Sequence, residues 1–233
     1  AAVQRISRHQ TTTRDTFPGN GDHVIACRFI DENRILVLCL RHLFLFRRNP
    51  ADGSWRREDL GNSAAALPGT NEDIPETSAP FLPRLGQWSD IAVHDPARGD
   101  HGSCYVSTTG HVMVQDDTIV EFDRMDTLWW FDGTDTWFQT GLRNDANGAE
   151  APAFAVVCDP DDADVVYVGT AIGVFRGRLT FTDGAPSWSW PYLANGLPEA
   201  VVHDLAFFNH GGVKLLRAAV QARGVWELDL SSP

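Results

Sequence analysis

The feature that most constrains the fold of this sequence is a short plan of apolar runs and polar turns that recurs along the chain. Three copies open with an apolar run that ends in a polar turn: IAVHDP (residues 91–96), AVVCDP (155–160) and LAFFNH (205–210). A second apolar run follows each of them, and residues 24–49 carry an N-terminal version of the plan. Because one small sheet cannot bury both of its faces, units that repeat in this way must pack on one another.

The end of each unit predicts a fourth strand. An Asp-Gly pair stands shortly before a tryptophan, and glycine accepts the positive φ of a tight hairpin turn. The large indole can then cover the seam between neighbouring sheets. No segment has a helical period, so each unit is predicted to be a four-stranded antiparallel meander. The three instances are Asp52-Gly53 with Trp55, Asp132-Gly133 with Trp137, and Asp183-Gly184 with Trp188.

Radial packing of four-stranded sheets gives a β-propeller, so the sequence predicts an all-β propeller of about four blades in one domain, residues 1–233. The fourth blade stops after its third strand, and we expect residues 3–9 to supply the missing outer strand and to close the ring. The alternative is that these blades are a fragment of a larger propeller. The approximate blades are residues 20–60, 88–142, 151–193 and 201–230.

The C-terminal half of the chain carries a family resemblance. Three of its segments, DPDDADVVYVGTAIGVFRG (159–177), DGAPSWSW (183–190) and GVWELDL (224–230), resemble the Asp-box (BNR-type, sialidase-like) β-propeller repeats. The similarity is best over residues 151–230 and weaker over 20–142. The boxes keep Asp, Gly and Trp, but the Ser or Thr two places before the Asp is absent in the first box. This superfamily includes sialidases, xyloglucanase-like hydrolases, photosystem assembly factors and sorting-receptor ectodomains, so the resemblance implies a fold rather than an activity.

The charge balance narrows the classes of partner. The chain has 19 Lys and Arg against 31 Asp and Glu, a net charge of −12, which repels nucleic acid and anionic membrane surfaces. The longest aliphatic run, residues 35–40, is far shorter than the roughly 20 residues that span a bilayer, so no membrane insertion is predicted. No basic and then apolar leader opens the sequence, so we expect a soluble protein and leave its compartment open.

One end of the predicted propeller is the candidate binding site. The turns between second and third strands lie there together with the segments that lead into the first strands. Asp90 and Asp204 stand directly before equivalent predicted strands. Their carboxylates form either a pair for acid–base work on a glycosidic bond or, in the more ordinary role, caps for backbone N–H groups. The candidate ligand- or partner-binding residues are Arg41, His42, Trp88, Asp90, His203, Asp204, Gln221 and Arg223.

The resemblance implies two catalytic sets, and neither carries over to this sequence. Sialidases use an arginine triad and a tyrosine backed by glutamate, whereas the three tyrosines here, Tyr105, Tyr167 and Tyr192, are all predicted in strands. Xyloglucanase-like enzymes carry an acid in the turn between second and third strands, and the matching turns here contain none. We therefore predict a non-catalytic interaction or scaffold module whose partner is a protein or a larger bacterial assembly. The alternative is a glycan-binding or glycan-hydrolysing propeller that uses Asp90, Asp204 and an exposed tryptophan.

No cofactor or metal site is predicted. Cys39 with His42, and His101 with Cys104, have a zinc-like spacing, but residues three apart on a strand face opposite sides of the sheet. The acidic run at residues 159–164 has the side chains of a calcium site, yet it is also typical of a solvated strand connection. The four cysteines are predicted to be free thiols in apolar strands. The alternative for one pair is a bridge between Cys27 and Cys39 across a hairpin.

Two further expectations concern exposed elements. The insertion at residues 61–87 is rich in proline, which limits its freedom before binding, so we expect it to be the variable contact element. A second insertion lies around residues 111–124. Trp129 and Trp130 are neighbours in one predicted strand, so one indole is expected to be buried and the other more exposed.

Overall fold

The protein is built from small antiparallel β-sheets. The computed structural model describes residues 24–39, 43–60, 88–109, 111–115, 118–123, 127–142, 152–193 and 196–231. Within these ranges every regular element is a β-strand. The same ranges contain no helix of the length and apolarity needed to cross a membrane. The predicted all-β class with repeated antiparallel meanders is therefore confirmed.

The strands of the described residues form four consecutive sheets and one hairpin. The first sheet contains β1 (Val24–Asp31), β2 (Arg34–Cys39), β3 (Leu43–Arg48) and β4 (Trp55–Asp59). The second sheet begins with β5 (Trp88–Asp95) and β6 (Ser103–Thr108). The hairpin of β7 (His111–Gln115) and β8 (Thr118–Asp123) comes next in the chain, and β9 (Leu128–Phe131) and β10 (Trp137–Gln139) complete the second sheet. The third sheet contains β11 (Ala153–Cys158), β12 (Val165–Thr170), β13 (Gly173–Thr182) and β14 (Ala185–Ser189). The fourth contains β15 (Val202–His210), β16 (Val213–Val220) and β17 (Gly224–Asp229).

Successive sheets pack face to face in chain order. The first strands β1, β5, β11 and β15, here called the inner strands, lie beside one another along this series. One apolar cluster fills each interface: Leu38 and Ile91 lie between the first and second sheets, Tyr105 and Val168 between the second and third, and Leu216 between the third and fourth. Each fully buried side chain of this size contributes roughly 1.5–3 kcal/mol. The sheets are therefore held together by their flat faces, as in a propeller.

The Asp-Gly hairpin turns have the expected backbone. Gly133 has a φ of 87° and Gly184 a φ of 81°, values that favour glycine. The indole Nε1 of Trp188, in the strand after Gly184, donates a hydrogen bond to the hydroxyl of Tyr105 in the second sheet, at 3.0 Å. This tryptophan thus covers a seam between sheets, as predicted.

The adjacent tryptophans of β9 also behave as expected. Trp130 is 1% exposed and lies in the core between the second and third sheets, whereas Trp129 is half-buried. The alternation of side chains along a strand accounts for this difference.

The series of sheets has one interruption. In the part of the chain that the structure describes, the fourth sheet has three strands where the others have four, and β15 does not pack on β1 as the other neighbouring inner strands pack on one another. Residues 3–9, which are expected to complete the fourth sheet, lie outside the described residues, and so does the insertion at 61–87. Ring closure therefore stays a prediction.

Two of the predicted features are wrong. Cys27 lies opposite Val37 in the ladder between β1 and β2, not opposite Cys39, and neither cysteine forms a disulfide, so the alternative of a bridge between them is wrong. Residues placed diagonally on neighbouring strands are too far apart for a disulfide. Tyr192 lies beyond the end of β14, in an isolated bridge with Phe175, and not in a strand.

Candidate functional site

Each inner strand carries a β-bulge at the same place, directly after its first paired residue. In β5, for example, Trp88 pairs with Thr108 and Asp90 with Ser107, which leaves Ser89 out of the ladder. A bulge bends the strand and redirects the extra side chain. The four bulged residues line one open cavity of about 400 Å³, here called the mouth cavity. They are Ile25, Ser89, Phe154 and His203.

Asp90 follows the bulge of β5, and its carboxylate ties three sheets together. Its Oδ1 accepts a hydrogen bond from Arg28 of the first sheet at 2.6 Å and another from the N–H of Ile91 at 2.8 Å. Its Oδ2 accepts a hydrogen bond from the N–H of Val156 in the third sheet at 3.0 Å. Only 10% of the Asp90 side chain is exposed, so these bonds form away from bulk water. Both oxygens are thus engaged in holding the sheets.

The electrostatics of Asp90 combine opposing effects. Burial raises the pKa of Asp90 above the ordinary aspartate value, and the nearby charge of Asp204 acts in the same direction. The hydrogen bonds from Val156 and Ile91 and the charge of Arg28 lower the pKa without offsetting the burial. A raised carboxyl pKa is also what a general acid requires, so the pKa alone does not separate the structural role from the chemical one.

His203 and Asp204 occupy in β15 the positions that Ser89 and Asp90 occupy in β5. Asp204 is exposed, and its Oδ1 accepts a hydrogen bond from the N–H of the next residue, Leu205, at 2.9 Å. The ring of His203 lies edge-on to Phe154, with 5.6 Å between ring centroids. The mouth cavity therefore brings together three of the predicted site residues, namely Asp90, His203 and Asp204.

Arg28 is the residue of this site that the sequence analysis missed. It also lines the mouth cavity, and its guanidinium is the only charged group that the described residues place against Asp90 as a hydrogen-bond donor. The available signal was an arginine inside the apolar strand VIACRFI of residues 24–30.

The positions of the lead-in residues also need correction. Asp90 and Asp204 were expected before their strands, but both lie inside β5 and β15, after the bulges. Trp88 is the first residue of β5, is 3% exposed, and belongs to the core cluster between the first and second sheets. Trp88 is therefore a core residue and is not among those that line the mouth cavity.

The turns between second and third strands lie at the same end as the mouth cavity. The N–H of Gln221, in the turn between β16 and β17, donates to the carbonyl of Val201 at 2.8 Å. The N–H of Ala171, in the turn between β12 and β13, donates to the carbonyl of Pro152 at 2.9 Å. Because Val201 and Pro152 directly precede β15 and β11, these bonds confirm the predicted meeting of turns and lead-in segments in the third and fourth sheets.

Arg223 belongs to a second open cavity at this end. The cavity has a volume of about 540 Å³, and its lining residues are Arg223, Val225, Trp226 and Glu227. The indole Nε1 of Trp226 donates a hydrogen bond to the carbonyl of Arg223 at 3.2 Å, which fixes the turn against the strand. Arg41 and His42, predicted in the corresponding turn of the first sheet, lie outside the described residues.

The acidic run at residues 159–164 already has cationic partners. Lys214 forms ion pairs with Asp159 and with Asp161, and Arg178 forms one with Asp162. Across the described residues no three Asp, Glu, His or Cys side chains are grouped closely enough to hold a metal ion. The run connects β11 to β12, and three of its four carboxylates form ion pairs with protein side chains.

The zinc-like pair of His101 and Cys104 is divided between a turn and a strand. His101 lies in the turn before β6, with its Nδ1 at 3.3 Å from a guanidinium nitrogen of Arg47. Cys104 is fully buried in β6, and burial raises the pKa of its thiol. A buried thiol of this kind disfavours the thiolate that zinc requires.

Comparison with known proteins finds similarity at the level of structure. No protein-family profile matches the chain, and no curated protein matches its sequence. One solved structure that it matches is PorZ, an essential bacterial surface component of the type-IX secretion system of Porphyromonas gingivalis, with a TM-score of 0.46 and 14% sequence identity. The match covers 91% of this chain and 28% of that chain. The chain thus spans less than a third of the length of PorZ.

Proposed function

We propose that the chain is a β-propeller of the Asp-box type that serves as a non-catalytic interaction or scaffold module in a bacterial assembly. The observation that carries this proposal is the use made of Asp90. Its carboxylate is well placed for chemistry because Asp90 lines the mouth cavity. Both of its oxygens, however, accept hydrogen bonds from the protein itself. A general acid or base must instead present an oxygen to its substrate.

The proposal includes closure of the ring by residues 3–9. The N–H of Leu230 donates to the carbonyl of Lys214 at 2.8 Å, which sets the register between β16 and β17. By the alternation of an antiparallel ladder, every second residue of β17 then turns its N–H and C=O away from β16. No described strand pairs with that edge, whereas an outer strand covers the same edge in the other three sheets. The residues concerned are Val225, Glu227 and Asp229.

The lengths of the connections support this closure. Residues 140–152 join the second sheet to the third, and residues 190–201 join the third to the fourth, which are stretches of 13 and 12 residues. The corresponding link from residues 3–9 to β1 would be residues 10–23, about as long as these two. A chain extends by roughly 3.3 Å per residue, so such a link easily crosses the ~15 Å width of four strands. In a fragment of a larger propeller, a different fourth strand would pair with the edge of β17, and a further sheet would pack on the free face of the fourth sheet.

The proposed partner-binding face is the end that holds the mouth cavity. The side chains there differ from sheet to sheet, although the backbone positions are equivalent, so the face can carry specificity that the fold does not need. The insertion at residues 61–87 is proposed as a second contact element. The proposed binding residues are Arg41, His42, His203, Asp204, Gln221 and Arg223, with Trp88 and Asp90 as their support.

Affinity capture from the native source tests this proposal, followed by binding of the identified protein in purified form. The face variant carries His203→Ala and Arg223→Ala. The matched control carries Glu32→Ala and His210→Ala, two exposed positions at the opposite end of the sheets. We expect the face variant to lose at least about tenfold in affinity and the control to keep its affinity. Equal affinities of the two variants for the purified partner would refute the proposed face.

A glycan-active propeller is the second candidate, because two carboxylates share the mouth cavity and Asp204 raises the pKa of Asp90. Pairs of carboxyl groups with separated pKa values are what glycosidases use. Trp226, 38% exposed, offers a surface for a sugar ring. A glycan array and hydrolysis of aryl glycosides by wild type and Asp204→Asn decide between the candidates. Hydrolysis that disappears in Asp204→Asn would replace the interaction module, and silence in both assays removes the glycan candidate.

A further inference from the structure

The four bulges give every inner strand the same frame of positions. The residue after the bulge pairs with equivalent partners in all four sheets, and in β5 this residue is Asp90, whose Oδ2 accepts the N–H of Val156 in the next sheet. Val156 is itself two positions after the bulge of β11. The side chain one position after the bulge of the second sheet is therefore bonded to the backbone N–H two positions after the bulge of the third sheet.

Asp204 is the equivalent of Asp90 in the fourth sheet. It accepts the N–H of Leu205 at 2.9 Å, just as Asp90 accepts the N–H of Ile91 at 2.8 Å. Within the described residues, however, no N–H from a following sheet bonds to Asp204 in the way that Val156 bonds to Asp90. The Asp204 carboxylate is exposed, and among the described residues it lacks the hydrogen bond from a neighbouring sheet that Asp90 has.

The first sheet has the matching donor. Cys27 lies two positions after the bulge of β1, and it faces Val37 in the same register in which Val156 faces Val168. By this equivalence the N–H of Cys27 points out of the ladder with β2, as the N–H of Val156 points out of the ladder with β12. No acceptor for it is found among the described residues outside the ladder.

Exposed apolar side chains flank the same gap. Eight large apolar side chains are exposed in the described part of the chain, and six of them belong to the first or the fourth sheet. The position of Val174, which is fully buried between the third and fourth sheets, is occupied in the fourth sheet by Val225, which is 70% exposed. Five of the six lie on the faces that border the gap, namely Val24, Phe29, Phe208, Val213 and Val225. The sixth, Trp226, pairs with Ala218 and so shares the opposite face of the fourth sheet.

We infer that β15 docks on β1 of the same chain, with Asp204 accepting a hydrogen bond from the N–H of Cys27. Asp204 and Phe208 share one face of β15, and Cys27 and Phe29 share one face of β1, so the contact buries both phenylalanines. The first sheet that β15 contacts belongs to the same chain and not to a second copy, because Cys27 and Asp204 line the same cavity of one molecule. This inference rests on the proposed ring and names the inner contact that closes it.

Hydrogen exchange at single amides of the full chain tests the contact. In the wild type we expect slow exchange at the Cys27 amide. Asp204→Ala removes the acceptor and speeds that exchange roughly fivefold or more, the effect of one net hydrogen bond. Asp204→Asn keeps an acceptor oxygen and leaves the rate within about twofold of the wild type. The Val156 amide, bound by Asp90, is the internal control for folding and stays unchanged in both variants.

Two outcomes overturn the inference. One is a Cys27 amide that exchanges freely in the wild type or ignores Asp204→Ala. The other is protection that appears only as the protein concentration rises, together with a dimer in sedimentation, which assigns the contact to a second copy. Deleting residues 3–9 separates this inference from the outer-strand closure. If the deletion leaves thermal stability unchanged while Cys27 stays protected, the outer strand fails and the inner contact stands. Partner capture tests the binding function independently.

Discussion

The carboxylate of Asp90 accepts a hydrogen bond from the backbone N–H of Val156, although the two residues lie 66 positions apart and in different sheets. The same carboxylate also holds Arg28 of the first sheet. Flat apolar faces can slide on one another, whereas a charged group bonded to fixed donors sets one relative position. We conclude that Asp90 fixes the alignment of the first three sheets where their inner strands line the mouth cavity.

Removal of Asp90 should therefore destabilise the fold. Asp90→Ala leaves the guanidinium of Arg28 and the N–H of Val156 without their acceptor, and we expect a loss of about 2–4 kcal/mol in the free energy of unfolding. Urea denaturation measures this loss. The matched control Asp204→Ala removes the equivalent carboxylate, with the inferred hydrogen bond from Cys27 but without an arginine partner, and should cost only about 1 kcal/mol. Similar small losses in both variants would show that Asp90 is not a structural tie.

Acid should reduce the contribution of Asp132. Burial by itself raises the pKa of Asp132, but hydrogen bonds from Thr134 and Thr136 lower it, and the net shift is below the ordinary value of 3.8. A carboxyl group whose pKa is lower in the folded state than in the unfolded state stabilises the fold at pH values above its unfolded pKa. This stabilisation is lost as the pH falls through the folded pKa. The difference in unfolding free energy between wild type and Asp132→Ala should thus shrink below about pH 4. A difference that grows on acidification would contradict this sign.

The hydrogen bond from Trp188 to Tyr105 can be measured by a double-mutant cycle. Trp188→Phe removes the N–H that serves the buried hydroxyl of Tyr105, and Tyr105→Phe removes the acceptor. We expect each single change to cost about 1–2 kcal/mol and the double variant to cost about 1 kcal/mol less than their sum. Strict additivity in thermal or urea unfolding would show that the two side chains do not interact.

Two ion pairs of the acidic run should differ in strength. Lys214→Met leaves the carboxylate of Asp159, which is 6% exposed, without its cation, and we expect a loss of about 2–3 kcal/mol. The matched change Arg178→Met breaks an exposed pair with Asp162 and should cost less than about 1 kcal/mol. Millimolar Ca²⁺ should leave the melting temperature of the wild type unchanged. Calcium-dependent stabilisation of either variant or of the wild type would reinstate a cation site.

Local signals account for what the sequence predicts well. The Asp-Gly turns, exemplified by Gly133, depend on a few neighbouring residues, and so does the alternation that buries Trp130 and leaves Trp129 half-exposed. These features need no knowledge of which sheet lies next to which. The strand count and the antiparallel order of three sheets follow from them.

The site depends on relationships that a local pattern does not contain. The apolar run begins at Ile91, so the sequence predicts a strand that starts after Asp90. The strand in fact begins at Trp88, and the bulge at Ser89 breaks the alternation that would have shown this. Arg28 lies 62 positions from Asp90, and only the packing of the first sheet on the second brings them together. Tertiary register, which the sequence pattern does not encode locally, is thus what assembles the site.

The four bulged positions can differ in side-chain chemistry while the strand pairing around them stays the same. A bulged residue has no partner in the ladder, so its side chain is constrained more by the cavity that it faces than by strand pairing. Isoleucine, serine, phenylalanine and histidine already share this one place in the four sheets. At Ile25, Phe154 and His203 one substitution can therefore change the lining of the mouth cavity while the ladders stay paired. Ser89 is less free to vary, because its Oγ also donates a hydrogen bond to the carbonyl of Ala153 in the third sheet.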